Sequence, residues 1–389
     1  MKMLQDIRVL DLGWFISGPF AALLLAELGA DVIKVEWPGQ GDKFRPDEDG
    51  GLYSTQFQAH NRDKRSVTLD YSTPDGLELL RELVKTSDVL IMNSRPGVAQ
   101  KFGIDYESLR SINPRLIYCS ITGFGPDGPY AERPALDNVG QALSGWMSRH
   151  RRGNDPRVVG PALADPVTSY YAVIGILGAL HERSNSGSGH LIEVNILESM
   201  IGLGIEPIIG YFSTGQVQPV LHRAGKSQAY NLCCRDGKRI GLHISMLQKF
   251  WERLCRAVGR GEWIERFPRV EDRIQNYEYL AEELNGIFGR RDRAYWAELL
   301  EQVEVPFAPE NELQDLEDDP QVRHLNVFYE VEHPRHGKLK APRRPIWADR
   351  SRDVDFRPPP DLGEHTEEVL KEIGLSEQRI GQLRGRRVI

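Results

Sequence analysis

Cysteine is scarce in this chain: four residues in 389, Cys119, Cys233, Cys234 and Cys255. They make no Cys-x-x-Cys pair and no framework spacing. That excludes a disulfide scaffold and predicts reduced thiols in a cytoplasmic protein. No apolar run approaches the roughly 20 residues of a membrane span, and the first residues lack a charged-then-apolar targeting pattern, so no membrane partner is expected. Basic residues are in deficit: 49 Lys and Arg against 56 Asp and Glu leave a net charge of −7. Such a balance argues against nucleic acid as a main partner. There is no Walker loop and no Gly-x-Ser-x-Gly. His333 and His336 stand in a Pro/Gly loop with no Cys or acid at ligand spacing, so no metal is expected. Low-complexity segments and internal repeats are also missing.

What is present describes a globular protein, with 40% hydrophobic and 27% charged residues. The length exceeds one ordinary core and predicts two domains. Strand patterns at 8–12, 30–36, 88–92 and 115–121 alternate with helical patterns at 20–28, from Thr73-Pro74 onward, and at 108–112. Short β-α-β connections imply an α/β fold, a Rossmann-like, doubly wound parallel sheet. A further helix is expected at 137–145, a polar basic loop at 149–157, a strand at 191–194 and an apolar helix at 197–211. The predicted organisation is a large domain over 1–200 completed by 335–389, a linker helix and loop at 201–224, and a smaller α+β domain at 225–330. That domain opens on a hairpin with a tight Asp236-Gly237 turn and continues in helices near 247–258, 277–288 and 293–302. Residues 331–389 read as a Pro/Arg-rich extended return ending in a helix at 366–373.

The organising stretch is 160–180, where a loop of small residues ends at Asp165-Pro166 and an apolar helical run follows. Asp165 reads as an N-cap, with Pro166 as the first helical residue. Pattern alone favours the cap; the sharper reading makes it a carboxylate at the positive end of a helix, available as a nucleophile.

The first β-α-β unit imitates a dinucleotide site, with Glu36 ending its second strand, yet the turn at 12–19 lacks Gly-x-Gly-x-x-Gly. Gly123-Phe-Gly125-Pro-Asp-Gly128 matches those letters but opens no helix and reads as a turn. Nicotinamide binding is therefore not expected. Ser17, at a helix start, reads as a cap or as part of an anion site. Lys64, Arg65, Arg95 and Lys101 fall at loop positions beside strand ends and together fit a phosphate-bearing ligand.

These residues belong to a wider pattern. It runs through Arg8-Val-Leu-Asp-Leu12, Ser17-Gly-Pro19, the stretch 25–36, Gly41-Asp42, Asn61-Arg-Asp-Lys-Arg-Ser66 and Asn93-Ser-Arg-Pro-Gly97. It continues in 102–107, 113–118, Gly123-Phe-Gly125, Gly128-Pro-Tyr130, Asp137, Gln141-Ala-Leu-Ser-Gly145, Ala164-Asp165 and Gly187-Ser-Gly189. In order and spacing the chain resembles the class III coenzyme A transferases, the family of formyl-CoA:oxalate and crotonobetainyl-CoA:carnitine transferases, over essentially its full length.

The resemblance implies an enzyme that moves CoA from an acyl-CoA to a carboxylic acid acceptor, with Asp165 as catalytic residue forming an anhydride and then a thioester. It implies CoA contacts at Phe15, Ile16, Ser17, Gly18, Pro19, Lys64, Arg65, Asn93, Arg95 and Lys101, with Asp137 near the reacting end. No permanently bound cofactor is expected; CoA and acyl-CoA are substrates. The family's homodimers, two chains interlinked like rings, suit the extended return. Departures exist. Trp37 stands where some members carry a basic residue. The loop 222–230 has one glycine where formyl-CoA transferases have a glycine-rich shield. Ser169 stands where many relatives have glycine. Arg223 and Lys226 in that loop would suit the second carboxylate of a dicarboxylate acceptor. Two alternatives share the fold. One is a 2-methylacyl-CoA racemase or epimerase, disfavoured because Leu136 replaces the base expected before Asp137. The other is a non-catalytic CoA-binding protein.

Overall fold

Strand β1 (Arg8–Asp11) leads into helix α1 (Ser17–Glu27) and strand β2 (Asp31–Glu36). Then come α2 (Thr55–Asn61), β3 (Lys64–Thr68), α3 (Pro74–Lys85) and β4 (Val89–Met92). Short helices α4 (Val98–Phe102) and α5 (Tyr106–Arg110) precede β5 (Ile117–Thr122). After α6 (Asp137–Leu143) and α7 (Trp146–Arg149), the long helix α8 (Ala164–Ser186) crosses to β6 (Leu191–Asn195) and α9 (Ile196–Leu203). All six strands pair in parallel in the order β3-β2-β1-β4-β5-β6. That is the order of a doubly wound sheet whose direction of winding reverses between β1 and β4. This computed structural model describes residues 3–151, 153–245, 247–352 and 356–389. The chain divides into one unit of Met1–Ile205 with Val327–Ile389 and another of Glu206–Asn326.

Alternate residues of each strand feed opposite faces of the sheet, as the two-residue repeat requires. Leu10, Ile33, Val35 and Leu90 pack against Leu80, Leu83 and Val84 of α3 and against Val369, Leu370, Ile380 and Leu383 of the two C-terminal helices, Thr366–Glu372 and Glu377–Gly385. Val9, Val32, Val89, Ile91 and Ile117 pack against α1 and α8. Those helices offer mostly small side chains, Ala21, Ala22, Ala172 and Ala179, so their backbones approach closely.

Several elements differ from the pattern-based expectations. Lys64 and Arg65 lie on a buried strand, β3, and not in a loop. The apolar run at 197–211 is two helices, α9 and Ile205–Thr214. The loop at 215–228 contains the helix His222–Ser227. The return past Glu332 begins as a hairpin of β10 (Phe328–His333) and β11 (Gly337–Pro342), although it is extended beyond that; positions 353–355 of it lie outside the described residues. The expected basic loop includes position 152, also outside the described residues; its Arg157 pairs with Asp155 at 2.9 Å.

The unit Glu206–Asn326 carries an antiparallel sheet of β7 (Ala229–Cys233), β8 (Arg239–His243) and β9 (Phe307–Pro309). Its hairpin turns at Gly237, in the left-handed region at φ 75°. Helices Gln248–Ala257, Tyr277–Phe288 and Arg293–Gln302 cover the sheet around Trp251, Trp263, Leu284 and Phe288. Among the described residues no single helix is long and apolar enough to cross a membrane.

Candidate active site

In doubly wound sheets ligands bind beyond the carboxyl ends of the strands, where the winding reverses. Here that point is occupied by the turn from β1 to α1 and by Asn93, the residue after β4. Asn93 Oδ1 accepts from the Trp14 N–H at 2.8 Å, and its Nδ2 donates to Trp14 O at 2.7 Å and Ser17 Oγ at 3.0 Å. Asp11 Oδ1 accepts from the Gly13 N–H at 2.8 Å, and Lys34 Nζ donates to Gly13 O at 2.9 Å. Asp42 Oδ1 accepts from the Phe15 N–H at 3.2 Å. Phe15 sits in the left-handed region at φ 63° with its ring exposed. The turn folds back so tightly that a Cβ on Gly13 would lie 2.9 Å from Gly18 Cα. Only glycine fits there. Five carboxylate and amide contacts thus hold a turn that has no hydrogen-bonding periodicity of its own.

Ser17 is not a cap. It is the first residue of α1, buried, and its hydroxyl accepts from Asn93. Ile16 holds the cap position and offers no side-chain acceptor. Among the described residues the first amides of α1 therefore have no side-chain partner, the arrangement in which helix starts receive anions.

The start of α8 also differs from expectation. The helix begins at Ala164, so Asp165 is its second residue and Pro166 its third, and the cap position belongs to Leu163. The capping acceptor is supplied from elsewhere in the fold. Asp137 Oδ1, at the start of α6, accepts from the Leu163 N–H at 2.7 Å and the Asp165 N–H at 3.1 Å. Among the described residues, the Asp165 carboxyl has no hydrogen-bond partner. Burial, reinforced by the negative charge of Asp137, pushes its pKa up to about 7. Of the two roles read for Asp165, the cap falls to Asp137, and the Asp165 carboxyl stays outside the capping contacts. Gln141 Nε2 donates to Asp137 Oδ2 at 2.5 Å and orients it.

Helix starts α1 and α8 are joined by Ser169. Its buried hydroxyl is shared between Ser17 O at 2.7 Å and Asp165 O at 2.9 Å. The turn after β1 and the loose carboxyl of Asp165 are therefore two ends of one connected arrangement. Phe15, Ile16, Ser17, Gly18, Pro19, Asn93, Asp137 and Asp165 are all brought into it. Asp11, Lys34, Asp42 and Ser169 complete it. The sequence offered no local signal for the first two, because Asp11 meets Lys64 from β3 and Lys34 meets Gly13 O and Asp42 from other segments.

Two of the residues expected at the phosphate have partners inside the fold. Lys64 is buried, and its three ammonium protons go to Asp11 Oδ2, Pro19 O and Asn61 Oδ1, each at 2.8 Å. Burial outweighs Asp11 and lowers its pKa to about 8. Arg65 spends its guanidinium on Asp31, Glu368 and Glu372, at 2.6–3.0 Å in the ion pairs. Both side chains hold the scaffold: Lys64 carries the turn through Pro19, and Arg65 fastens the helix Thr366–Glu372. Arg95 and Lys101 are exposed. Arg223 and Lys226 lie on the helix His222–Ser227 of the other unit. His333 and His336 do meet an acid, Asp361, all within 4.8 Å. Asp361 is also ion-paired with Arg335, and His333 Nδ1 accepts from the Arg335 and His336 amides, so the cluster is satisfied internally.

Comparison with known proteins agrees with this arrangement. A family model described as CoA-transferase family III matches residues 4–366. A mouse succinyl-CoA:glutarate CoA-transferase is 32% identical, over 96% of this chain and 87% of its own length. A formyl-CoA:oxalate CoA-transferase of Rhodopseudomonas palustris is 32% identical, over 98% and 96%. The crystal structure of a CAIB/BAIF family protein from Brucella suis, 33% identical, superposes with a TM-score of 0.82 over 94% of this chain and 98% of that one.

Proposed function

The chain belongs to CoA-transferase family III, and on that premise we propose that it exchanges CoA between carboxylic acids by a covalent relay on Asp165. The observation that carries the proposal is the division of labour at the start of α8. Asp137 takes the helix-start amides, and the Asp165 carboxyl is left unpartnered and partly desolvated.

In the first step a carboxylate oxygen of Asp165 attacks the thioester carbonyl of the donor. The C–S bond breaks, leaving an acyl-aspartyl anhydride and CoA thiolate. The thiolate then attacks the aspartyl carbon, releases the donor's acid, and forms an aspartyl-CoA thioester. The acceptor carboxylate attacks that thioester, expelling the thiolate and forming a second anhydride. Attack of the thiolate on the acceptor's acyl carbon gives the new acyl-CoA and restores Asp165. Each step exchanges one acyl bond for another, so no oxidant, metal or water enters. A covalent relay of this kind replaces one difficult exchange by easier ones. A carboxylate with a pKa of about 7 is a stronger nucleophile than an ordinary one, while still largely ionised above neutral pH.

The turn 13–19 and the uncapped start of α1 receive the CoA diphosphate and pantetheine in this reading, with Asn93 as the residue that shapes the turn and Arg95 and Lys101 as outer cations. Water must be kept from the anhydride. The relatives named for glutarate and oxalate support a dicarboxylate as acceptor. A homodimer is supported by exposed apolar residues at and on α6 and α8: Leu136, just before α6, with Val139, Leu143, Tyr170, Ile174 and Leu177. Large apolar side chains left exposed in such number are often buried in an interface.

The test is chemical trapping. Protein incubated with an acyl-CoA and quenched with hydroxylamine should carry a hydroxamate on the peptide containing Asp165, and Asp165→Ala should lose all exchange. Full exchange by Asp165→Ala would overturn the mechanism.

A further inference from the structure

Helix α1 follows the turn that receives CoA in the reading above, and helix α8 carries Asp165. The two helices share one face of the sheet, where they meet it through Ala21, Ala22, Ala172 and Ala179. Methyl groups make shallow ridges. Such faces bring backbones close but do little to stop one helix from sliding along the other. Among the described residues, one hydrogen bond joins α1 to α8: the Ser169 hydroxyl donates to Ser17 O at 2.7 Å. Beside it Phe20 meets Tyr170 edge to face, with ring centroids 5.7 Å apart.

Ser169 is fully buried. A serine hydroxyl carries one proton, and here that proton has two acceptors, Ser17 O at 2.7 Å and Asp165 O at 2.9 Å. The bond to Asp165 O is the usual return of a helical hydroxyl to the carbonyl one turn back. Thr168 makes the same bond to Ala164 O, at 2.7 Å. A local role for Ser169 needs nothing more. The bond to Ser17 O spans 152 positions, and it is the shorter of the two. Ser17 is the first residue of α1, and its own hydroxyl accepts from Asn93. One side chain thus touches the backbone of the residue that opens α1 and the backbone of the acid in the first turn of α8.

On the transferase reading above, we propose that Ser169 is a positioning residue: its hydroxyl fixes the register of α1 against α8 and so places the CoA sulfur at the Asp165 carboxyl. Being fully buried, it touches no substrate. CoA is held on the α1 side, and the acyl-aspartyl anhydride is carried on α8. Once the C–S bond has broken, the thiolate must return across the gap between the two helix starts to reach the aspartyl carbon. Its effective concentration there depends on the register of the helices, and that of water does not. Attack of water on the anhydride gives the donor's acid and free Asp165, and the thiolate takes up one of the released protons as CoA thiol. The ratio of CoA transfer to acyl-CoA hydrolysis therefore reads the register, whatever fraction of the protein is folded.

The experiment measures kcat, KM for acyl-CoA and the transfer-to-hydrolysis ratio above the spontaneous rate. It uses the full chain as parent, Ser169→Ala and Ser169→Thr, with succinyl-CoA as the first donor and glutarate as the first acceptor tried. In Ser169→Ala both kcat and the ratio should fall about tenfold or more, the cost of a misplacement of an ångström or less. KM should stay within about twofold, because the groups on the turn that hold CoA are untouched. Ser169→Thr keeps the hydroxyl and should keep the ratio near that of the parent. A Ser169→Ala protein with an unchanged ratio overturns the proposal. That holds even if its kcat falls in step with the folded fraction seen by thermal unfolding, since the hydroxyl would then be structural only. A ratio in Ser169→Thr as low as in Ser169→Ala overturns it too. A parent that moves CoA between no acyl-CoA and acid, or full exchange by Asp165→Ala, overturns the transferase reading itself.

Discussion

Asp137 Oδ1 accepts a hydrogen bond from the backbone N–H of Asp165 at 3.1 Å, while the two carboxyls themselves remain unlinked. One acid caps the helix from outside so that the other, already in its first turn, need not. The like charge of Asp137, added to burial, is what holds Asp165 near pKa 7.

The pH dependence of exchange follows. Asp165 must be ionised to attack, so kcat/KM should rise with pH along a limb centred near 7. Asp137→Asn keeps the carbonyl oxygen that accepts from Leu163 and Asp165 but removes the charge. The limb should then move to lower pH, because a like charge had raised the pKa. A limb that stays in place would show that burial alone sets it. Asp137→Ala loses the cap as well and should cost about 1 kcal/mol of stability, measured by denaturant unfolding.

The same shift predicts that an ionised Asp165 destabilises the fold. The folded pKa, about 7, lies above the ordinary value of 3.8, so the folded protein binds the proton more tightly than the unfolded chain. Stability is then lost as pH rises from about 4 to about 7. Asp165→Asn removes that loss. At pH 8 the variant should be more stable by on the order of 2 kcal/mol, discounted for partial exposure, and near pH 4 the difference should vanish. Equal destabilisation at both values would contradict this.

Lys64 separates a scaffold role from a ligand role. Lys64→Met strands Asp11, whose remaining cation, Lys34, is 3.6 Å away. Breaking a buried pair from one side costs about 3–5 kcal/mol, so the thermal midpoint should fall by many degrees. A phosphate contact would instead raise KM for acyl-CoA and leave the midpoint in place.

How much of this could be read from the chain depends on where each partner lies. The strands β1, β2, β4 and β5 are apolar runs between turn residues, and their parallel order follows from short helical crossovers. Strand β3 was hidden because it opens Lys64-Arg65, charges that look solvated. They are buried only because Asp11, Asp31 and Glu372 come from 53, 34 and 307 residues away. Asp165-Pro166 resembled a cap with its first helical residue. The true acceptor, Asp137, is 28 positions upstream, beyond the reach of any local pattern. The hairpin β10–β11 was masked by the prolines around it. Likeness to a family pointed to Asp165 as the proposed nucleophile, and the fold shows the contact that takes the capping role from it.

Asn93 is the residue on which the turn depends most. Asn93→Ala removes three hydrogen bonds to Trp14 and Ser17, each worth about 1 kcal/mol. KM for acyl-CoA should rise by about tenfold or more as the turn loosens. Asn93→Asp keeps one acceptor, loses both donors, and should fall between. An unaltered KM in Asn93→Ala would mean that the turn does not hold the substrate.

The central claim is that an oxygen of Asp165 passes through the acyl transfer. A single turnover with an acceptor acid labelled in both carboxylate oxygens by heavy oxygen tests it directly. When the thiolate takes the acceptor's acyl group from the second anhydride, one labelled oxygen stays on the enzyme. Mass spectrometry of the peptide containing Asp165 should show the mass of one heavy oxygen, located on the Asp165 carboxyl. Label retained only in the acyl-CoA and the free acids, with none on Asp165, would contradict the account.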